Sequence, residues 1–135
     1  MSVPPTTALR PGQVIYAWRT VLAVGWVALV VCLFIVAGAG EVSGRPVWWF
    51  GHESDRQMLP VMLVPFVLPV AVIAMAWRGT RFVVAVSLAA TLVLAVTAWL
   101  DRDDAPGAAA MTALITVAAL ALSLAAFAGR ARRIR

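Results

Sequence analysis

The sequence predicts an all-α integral membrane protein with four transmembrane helices in two hairpins and both termini in the cytoplasm. The first reason is composition: 63% of the 135 residues are apolar and only 13% are charged, whereas soluble domains are about 45–50% apolar and about 25% charged. A chain this short has too much surface to bury such an excess in a soluble core. Its single cysteine, Cys32, excludes a disulfide scaffold.

The second reason is the placement of the charged residues, which leave four long uncharged stretches of 21, 21, 19 and 25 residues. A helix needs about 20 apolar residues to cross the hydrocarbon layer. Each stretch is therefore long enough for one span and too short for two. We predict a single domain over residues 1–135, with spans near 20–39, 58–77, 82–100 and 108–129.

The third reason is the charge of the connecting segments, which sets the orientation. The termini and the turn near residue 80 carry eight arginines and no acid, whereas the other two connections carry three arginines and six acids. The positive-inside rule places the arginine-rich side in the cytoplasm. A cleaved signal peptide ending near residues 37–39 is the alternative, but the first apolar stretch is longer than a usual signal peptide core.

Several polar residues at the predicted helix ends have structural explanations. Gly79 suits the C-terminal end of helix 2, and Thr80 suits the N-cap of helix 3, so these helices form a tight hairpin. Asp103 and Asp104 precede helix 4, where carboxylates favour the positive end of the helix dipole. Pro106 is tolerated in the first turn of that helix.

Pro65 and Pro69 fall in the middle of helix 2. Each removes a backbone donor and crowds the preceding turn, so the sequence predicts a kink in mid-membrane. A bent helix shaped to fit its neighbours is the simpler interpretation. A hinge or a binding site at a broken helix is the alternative.

Small and hydroxyl residues recur at helical spacing and predict the faces along which helices pack. In lipid, such residues let backbones approach closely and form hydrogen bonds between helices. The candidate packing residues are Gly25, Ala28 and Cys32 in helix 1, Ser87, Thr91 and Ala95 in helix 3, and Thr112, Thr116 and Ser123 in helix 4.

The predicted spans contain no Asp, Glu, Lys, Arg or His. Ion-coupled carriers normally need ionisable groups inside the membrane, so their absence disfavours transport by this chain alone. Common catalytic motifs are also missing, and we expect no enzyme activity, cofactor or metal site. The best alternative is the loop sequence His52-Glu53-Ser54-Asp55, which has the residue types for a metal site or acid–base chemistry on a lipid.

The connection between helices 1 and 2 is the most distinctive segment outside the spans. Its sequence Val47-Trp48-Trp49-Phe50 is too apolar to stand free in water, so it should lie in the headgroup layer or pack against a partner. We select Trp48, Trp49, Phe50 and His52 as candidate partner contacts. The arginines of the C-terminal tail should attract anionic lipid on the cytoplasmic face, and we expect no nucleic-acid binding.

These features together favour a non-enzymatic accessory or assembly subunit of a larger membrane complex, with other membrane-protein subunits as partners. The alternative is a homo-oligomeric small transporter or channel component. The absence of Lys and Asn, with abundant Ala, Val and Arg, is typical of a GC-rich bacterial genome. We therefore expect the plasma membrane of a bacterium.

Overall fold

Four α-helices account for most of the residues that the computed structural model describes, which are 14–50 and 59–129. They are α1 (Tyr16–Val42), α2 (Leu59–Arg78), α3 (Val83–Leu100) and α4 (Pro106–Ala128). Each helix is long and apolar enough to cross a membrane. The prediction of an all-helical chain with four candidate spans is therefore confirmed, and α1 begins four residues earlier than predicted, at Tyr16.

The helices form a bundle in which each helix packs against its neighbours in the chain, and α4 packs back against α1. Phe34 of α1 stacks on Phe66 of α2 with ring centroids 4.5 Å apart. Arg19, nearer the start of α1, contacts Ala76 near the end of α2. These two helices are therefore antiparallel, and the short turns that follow α2 and α3 make the other consecutive pairs antiparallel as well.

This arrangement brings charged residues together at the two ends of the bundle. The start of α1, the end of α2 and the start of α3 share one end, where the charged residues among those described are Arg19, Arg78 and Arg81. We call it the arginine end. The opposite end, called the acidic end, carries Glu41, Arg45, Asp101, Arg102, Asp103 and Asp104.

The helix α2 continues without a break through Pro65 and Pro69. Both prolines are buried, as is Phe66 between them, so their rings pack inside the bundle. Neighbouring helices can stabilise a proline-containing helix in a membrane in this way. The alternative of a helix broken at these prolines is therefore wrong for this structure.

The C-terminus of α2 ends in a Schellman motif, in which the backbone bends back through a left-handed glycine. Gly79 has a φ of +69°, as predicted for a C-terminal glycine. The Thr80 N–H donates to the Met75 carbonyl at 3.2 Å, and the Gly79 N–H donates to the Ala76 carbonyl at 3.2 Å. The prediction that Thr80 caps α3 is wrong, because the N-cap is Phe82 and no side chain bonds to the first N–H groups of α3. The Thr80 hydroxyl instead lies 3.5 Å from the Met75 carbonyl of α2.

The start of α4 also differs from the prediction in part. Pro106 occupies the first turn as expected, but the N-cap is Ala105 and no side chain bonds to the free N–H groups there. Asp103 instead forms an ion pair with Arg102 at 3.1 Å. Asp103 and Asp104 lie in the turn that precedes α4, as predicted, but neither side chain caps the helix.

The core of the bundle mixes large and small side chains. Its fully buried large residues include Leu22, Trp26, Leu33 and Leu94. The outward faces remain strongly apolar, and exposed examples are Val24, Leu92, Val117 and Phe127. An exposed apolar surface on every helix is what a lipid environment requires, because lipid chains can cover it.

Candidate functional site

A chain of buried hydrogen bonds crosses the interior of the bundle and joins α1, α3 and α4. The indole Nε1–H of Trp26 donates to Ser87 Oγ at 2.9 Å. Ser87 Oγ lies 2.6 Å from Ser123 Oγ, and Ser123 donates to the Ala119 carbonyl at 2.7 Å. Since the one hydroxyl proton of Ser123 is used there, Ser87 must be the donor to Ser123.

The structure places the predicted packing residues of α3 and α4 mostly inside the bundle. Ser87, Thr91, Thr112 and Ser123 are buried, and Thr116 is half-buried. Thr91 and Thr116 also donate to the carbonyls of Ser87 and Thr112, one helical turn earlier. Ala95 is exposed, and it lines a groove between α3 and α4 rather than the core.

The predicted packing residues of α1 are divided between the bundle and its outer surface. Gly25 does lie at the seam with α4, where a Cβ atom would come within 2.5 Å of the Leu122 side chain. Ala28 and Cys32 are exposed. The buried face instead carries large residues such as Leu22, Trp26 and Leu33, which a search for small residues could not find.

The segment after α1 packs onto the acidic end of this same chain. Val47 is fully buried and Trp49 is only 2% exposed. The Trp49 ring meets the edge of Phe66 on α2, with centroids 5.3 Å apart. Trp49 therefore stabilises the chain's own fold, whereas Trp48 and Phe50 remain half-buried. His52, also a predicted partner contact, lies outside the described residues.

Asp101 fixes this segment to the end of α3. Its Oδ1 accepts the Trp48 backbone N–H at 2.9 Å. The carboxyl is fully buried, and burial raises the pKa of Asp101, with the bond from Trp48 opposing the rise and nearby Asp104 adding to it. Asp101 Oδ2 and the Trp48 indole N–H have no hydrogen-bond partner in the described part of the chain.

At the arginine end, Arg19 of α1 bonds to the C-terminus of α2. Its Nε donates to the Ala76 carbonyl at 2.9 Å, and its Nη2 donates to the Trp77 carbonyl. The last carbonyls of a helix lack partners within the helix, and a cation there also meets the negative end of the dipole. Arg19 therefore completes the C-terminus of α2.

Two sizeable grooves lie open on the surface of the described residues. One lies between α3 and α4, has a volume of about 550 Å³, and is lined mainly by Ala95, Ala98, Ala109, Ala110, Ala113 and Thr116. Trp99 and Arg102 stand at its acidic end. The other lies between α1 and α4, has a volume of about 460 Å³, and includes Ala39, Gly40 and Ala108.

Within residues 14–50 and 59–129, no group of three or more His, Cys, Asp or Glu side chains is placed to hold a metal ion. The alternative His52-Glu53-Ser54-Asp55 cluster lies outside these residues. No protein-family model, curated protein or solved structure matches the chain.

Sequence reasoning missed three of these residues, namely Trp26, Asp101 and Arg19. Trp26 carried a usable signal, because it lies in mid-span, where its indole N–H needs an acceptor. From the sequence, Asp101 and Arg19 are recognisable only as charges that set the boundaries and orientation of the spans. Their hydrogen-bond partners are backbone groups 53 and 57 residues away. No local sequence pattern identifies such partners.

Proposed function

We propose that this chain is a non-enzymatic accessory or assembly subunit of a larger membrane complex. The observation that supports it best is the groove between α3 and α4, which we call the alanine groove. Its walls are alanines and one threonine over much of its length. In a bilayer, apolar helices gain no hydrophobic advantage over lipid, so close approach over small residues is a main source of helix association.

The shape of the alanine groove suits a transmembrane helix of another subunit. Ala95, Ala110 and Ala113 are exposed, so a helix laid along them would contact the backbones of both α3 and α4. The half-buried Trp48 and Phe50 at the acidic end supply a second predicted contact outside the span. Aromatic residues of this kind are common anchors at protein interfaces.

The proposed orientation has the arginine end and both termini in the cytoplasm of a bacterium. Arg19, Arg78 and Arg81 lie together at that end, next to where α4 ends. An excess of arginine on cytoplasmic segments determines orientation in most multi-pass proteins. A reporter fused to the C-terminus should be active only in the cytoplasm, and activity on the outer side would contradict this orientation.

Purification in a mild detergent followed by mass spectrometry tests the proposed role. We expect the native chain to co-purify with at least one other membrane protein. Ala110→Leu and Ala113→Leu should remove that partner by filling the alanine groove. Ala118→Leu is the matched control, because Ala118 is also exposed on α4 but does not line the groove.

Two results of this experiment would overturn the proposal. Recovery of this chain alone, as a stable homo-oligomer, would favour the alternative of a small transporter or channel component. Equal recovery of the partner with the groove variants and with the control would show that the alanine groove is not part of the interface.

A further inference from the structure

A small notch at the arginine end combines a fixed cation with exposed aromatic side chains. Its volume is about 250 Å³, and it lies between α1 and α2 with Tyr16, Arg19, Thr20 and Trp77 among its lining residues. Tyr16 is 77% exposed and Trp77 is 80% exposed. Tyrosine and tryptophan at helix ends prefer the headgroup layer of the bilayer, which places the notch at that depth.

Arg19 is held in the notch by backbone carbonyls rather than by a carboxylate. The two carbonyl groups of α2 that it bonds are neutral, and the guanidinium has more N–H donors than these two acceptors use. Gly79 lies directly beneath, where a Cβ atom would come within 2.5 Å of Arg19 Cζ. The guanidinium is therefore positioned in advance, which lowers the entropic cost of binding an anion.

The charges around the notch favour an anionic ligand. Arg78 and Arg81 lie at the same end, and no carboxylate of the described residues lies there. Arg102 provides the contrast, because it also stands beside a tryptophan, Trp99, but is paired with Asp103 at 3.1 Å. An arginine already neutralised by a carboxylate has less to offer a phosphate.

We propose that this notch binds the phosphate group of an anionic phospholipid. The phosphate accepts hydrogen bonds from Arg19, in the charge-assisted geometry that arginine favours with phosphate. The Tyr16 phenol is a further donor at the rim, and Ala23 and Val24 supply an apolar floor for the first part of the lipid chains. This inference goes beyond the proposed subunit role and does not depend on any protein partner.

Native mass spectrometry of the full chain in detergent tests the notch. The chain is titrated with phosphatidylglycerol or with phosphatidylcholine of the same acyl chains, and the tightly bound adduct is measured. We expect one phosphatidylglycerol molecule to bind each chain more tightly than phosphatidylcholine does. Arg19→Gln should weaken its binding about tenfold, as expected for the loss of one charge-assisted hydrogen bond. Arg81→Gln removes the same charge from the same end and should change binding by less than about twofold.

A second variant keeps the test decisive if Arg19→Gln fails to fold. Thr20→Phe fills the notch while leaving both carbonyl bonds of Arg19 in place, since the Thr20 hydroxyl bonds only within its own helix turn. It should also lose the preferred lipid. Equal losses for Arg19→Gln and Arg81→Gln would show a general charge effect and overturn the site. Retention of the lipid by Thr20→Phe, or its displacement by inorganic phosphate at equal concentration, would overturn a phospholipid as the occupant.

Discussion

Asp101 accepts the backbone N–H of Trp48 at 2.9 Å, although 53 residues separate them. The bond joins the segment after α1 to the C-terminus of α3 and so closes the acidic end of the bundle. Because the carboxyl is buried, its charge is costly there unless hydrogen bonds compensate for it. Stability at this end should therefore depend on pH.

Asp101→Asn should remove this pH dependence. Burial raises the pKa of the folded Asp101 above the ordinary value of 3.8, so the folded chain binds this proton more tightly than the unfolded chain. The stability that the protonated Asp101 carboxyl contributes is fully present below the ordinary pKa, and it is lost as the pH rises through the raised pKa. Asparagine keeps the acceptor for Trp48 but has no charge. The thermal unfolding midpoint of the Asp101→Asn variant in detergent should therefore not fall as the pH rises from the ordinary pKa through the raised one.

Asp103→Asn is the matched control for that measurement. Asp103 is exposed and paired with Arg102, so the variant should keep the pH dependence of the native chain. Identical pH profiles for the native chain and Asp101→Asn would show that the Asp101 carboxyl does not control stability at the acidic end.

Ser87→Ala should destabilise the bundle more than Ser123→Ala. The first variant leaves the buried Trp26 indole N–H without its acceptor, whereas the second removes only the acceptor of the Ser87 hydroxyl and keeps the bond between Trp26 and Ser87. Hydrogen bonds between helices in membranes contribute about 0.6 kcal/mol on average and up to about 1.7 kcal/mol. Unfolding in mixed micelles measures both variants, and a larger cost for Ser123→Ala would contradict the direction of the hydrogen-bond chain.

Gly79→Ala should cost more stability than Gly44→Ala. Both glycines have a left-handed backbone, with φ of +69° and +71°, so each substitution carries a backbone cost of about 1–2 kcal/mol. A Cβ atom at Gly44 meets open space, whereas one at Gly79 meets the Arg19 guanidinium. The difference between the two losses of unfolding free energy measures the energetic cost of displacing the Arg19 side chain. Equal losses would mean that this displacement has no energetic cost.

Trp49→Ala should lower the unfolding free energy by about 3 kcal/mol or more, as large-to-small changes in packed cores do. Trp49 is 2% exposed and packs against Phe66. Trp99→Ala removes the same side chain at a position that is 66% exposed, and it should have a much smaller effect. Equal effects would show that the segment after α1 is not packed as described.

The positions of the four helices could be predicted from the sequence because charged residues are excluded from the hydrocarbon layer. Arg78 and Asp101 lie at the end of α2 and just beyond α3. The inward face of each helix could not be predicted in the same way. In lipid, the outside of a helix is as apolar as the inside, so buried Leu22 and Leu33 carry no signal that distinguishes them from exposed Val24.

The candidate site was predictable only where the side chain itself limits the choices. Hydroxyls such as those of Ser87 and Ser123 need partners in a membrane, and these two oxygens lie 2.6 Å apart between α3 and α4. Trp49 was predicted to be a partner contact because its segment is apolar, but Phe66 of the same chain covers it. Contacts between residues far apart in sequence depend on the whole arrangement, so no local pattern predicts them.

Site-specific photo-crosslinking in native membranes tests the proposed subunit role most directly. A photoreactive side chain replaces Ala113 in the alanine groove, and Ala118 in the control. The proposal predicts that the probe at position 113 crosslinks to a single other membrane protein and that the probe at position 118 does not. A probe at position 113 that crosslinks only to lipid, or only to a second copy of this chain, would contradict the proposal.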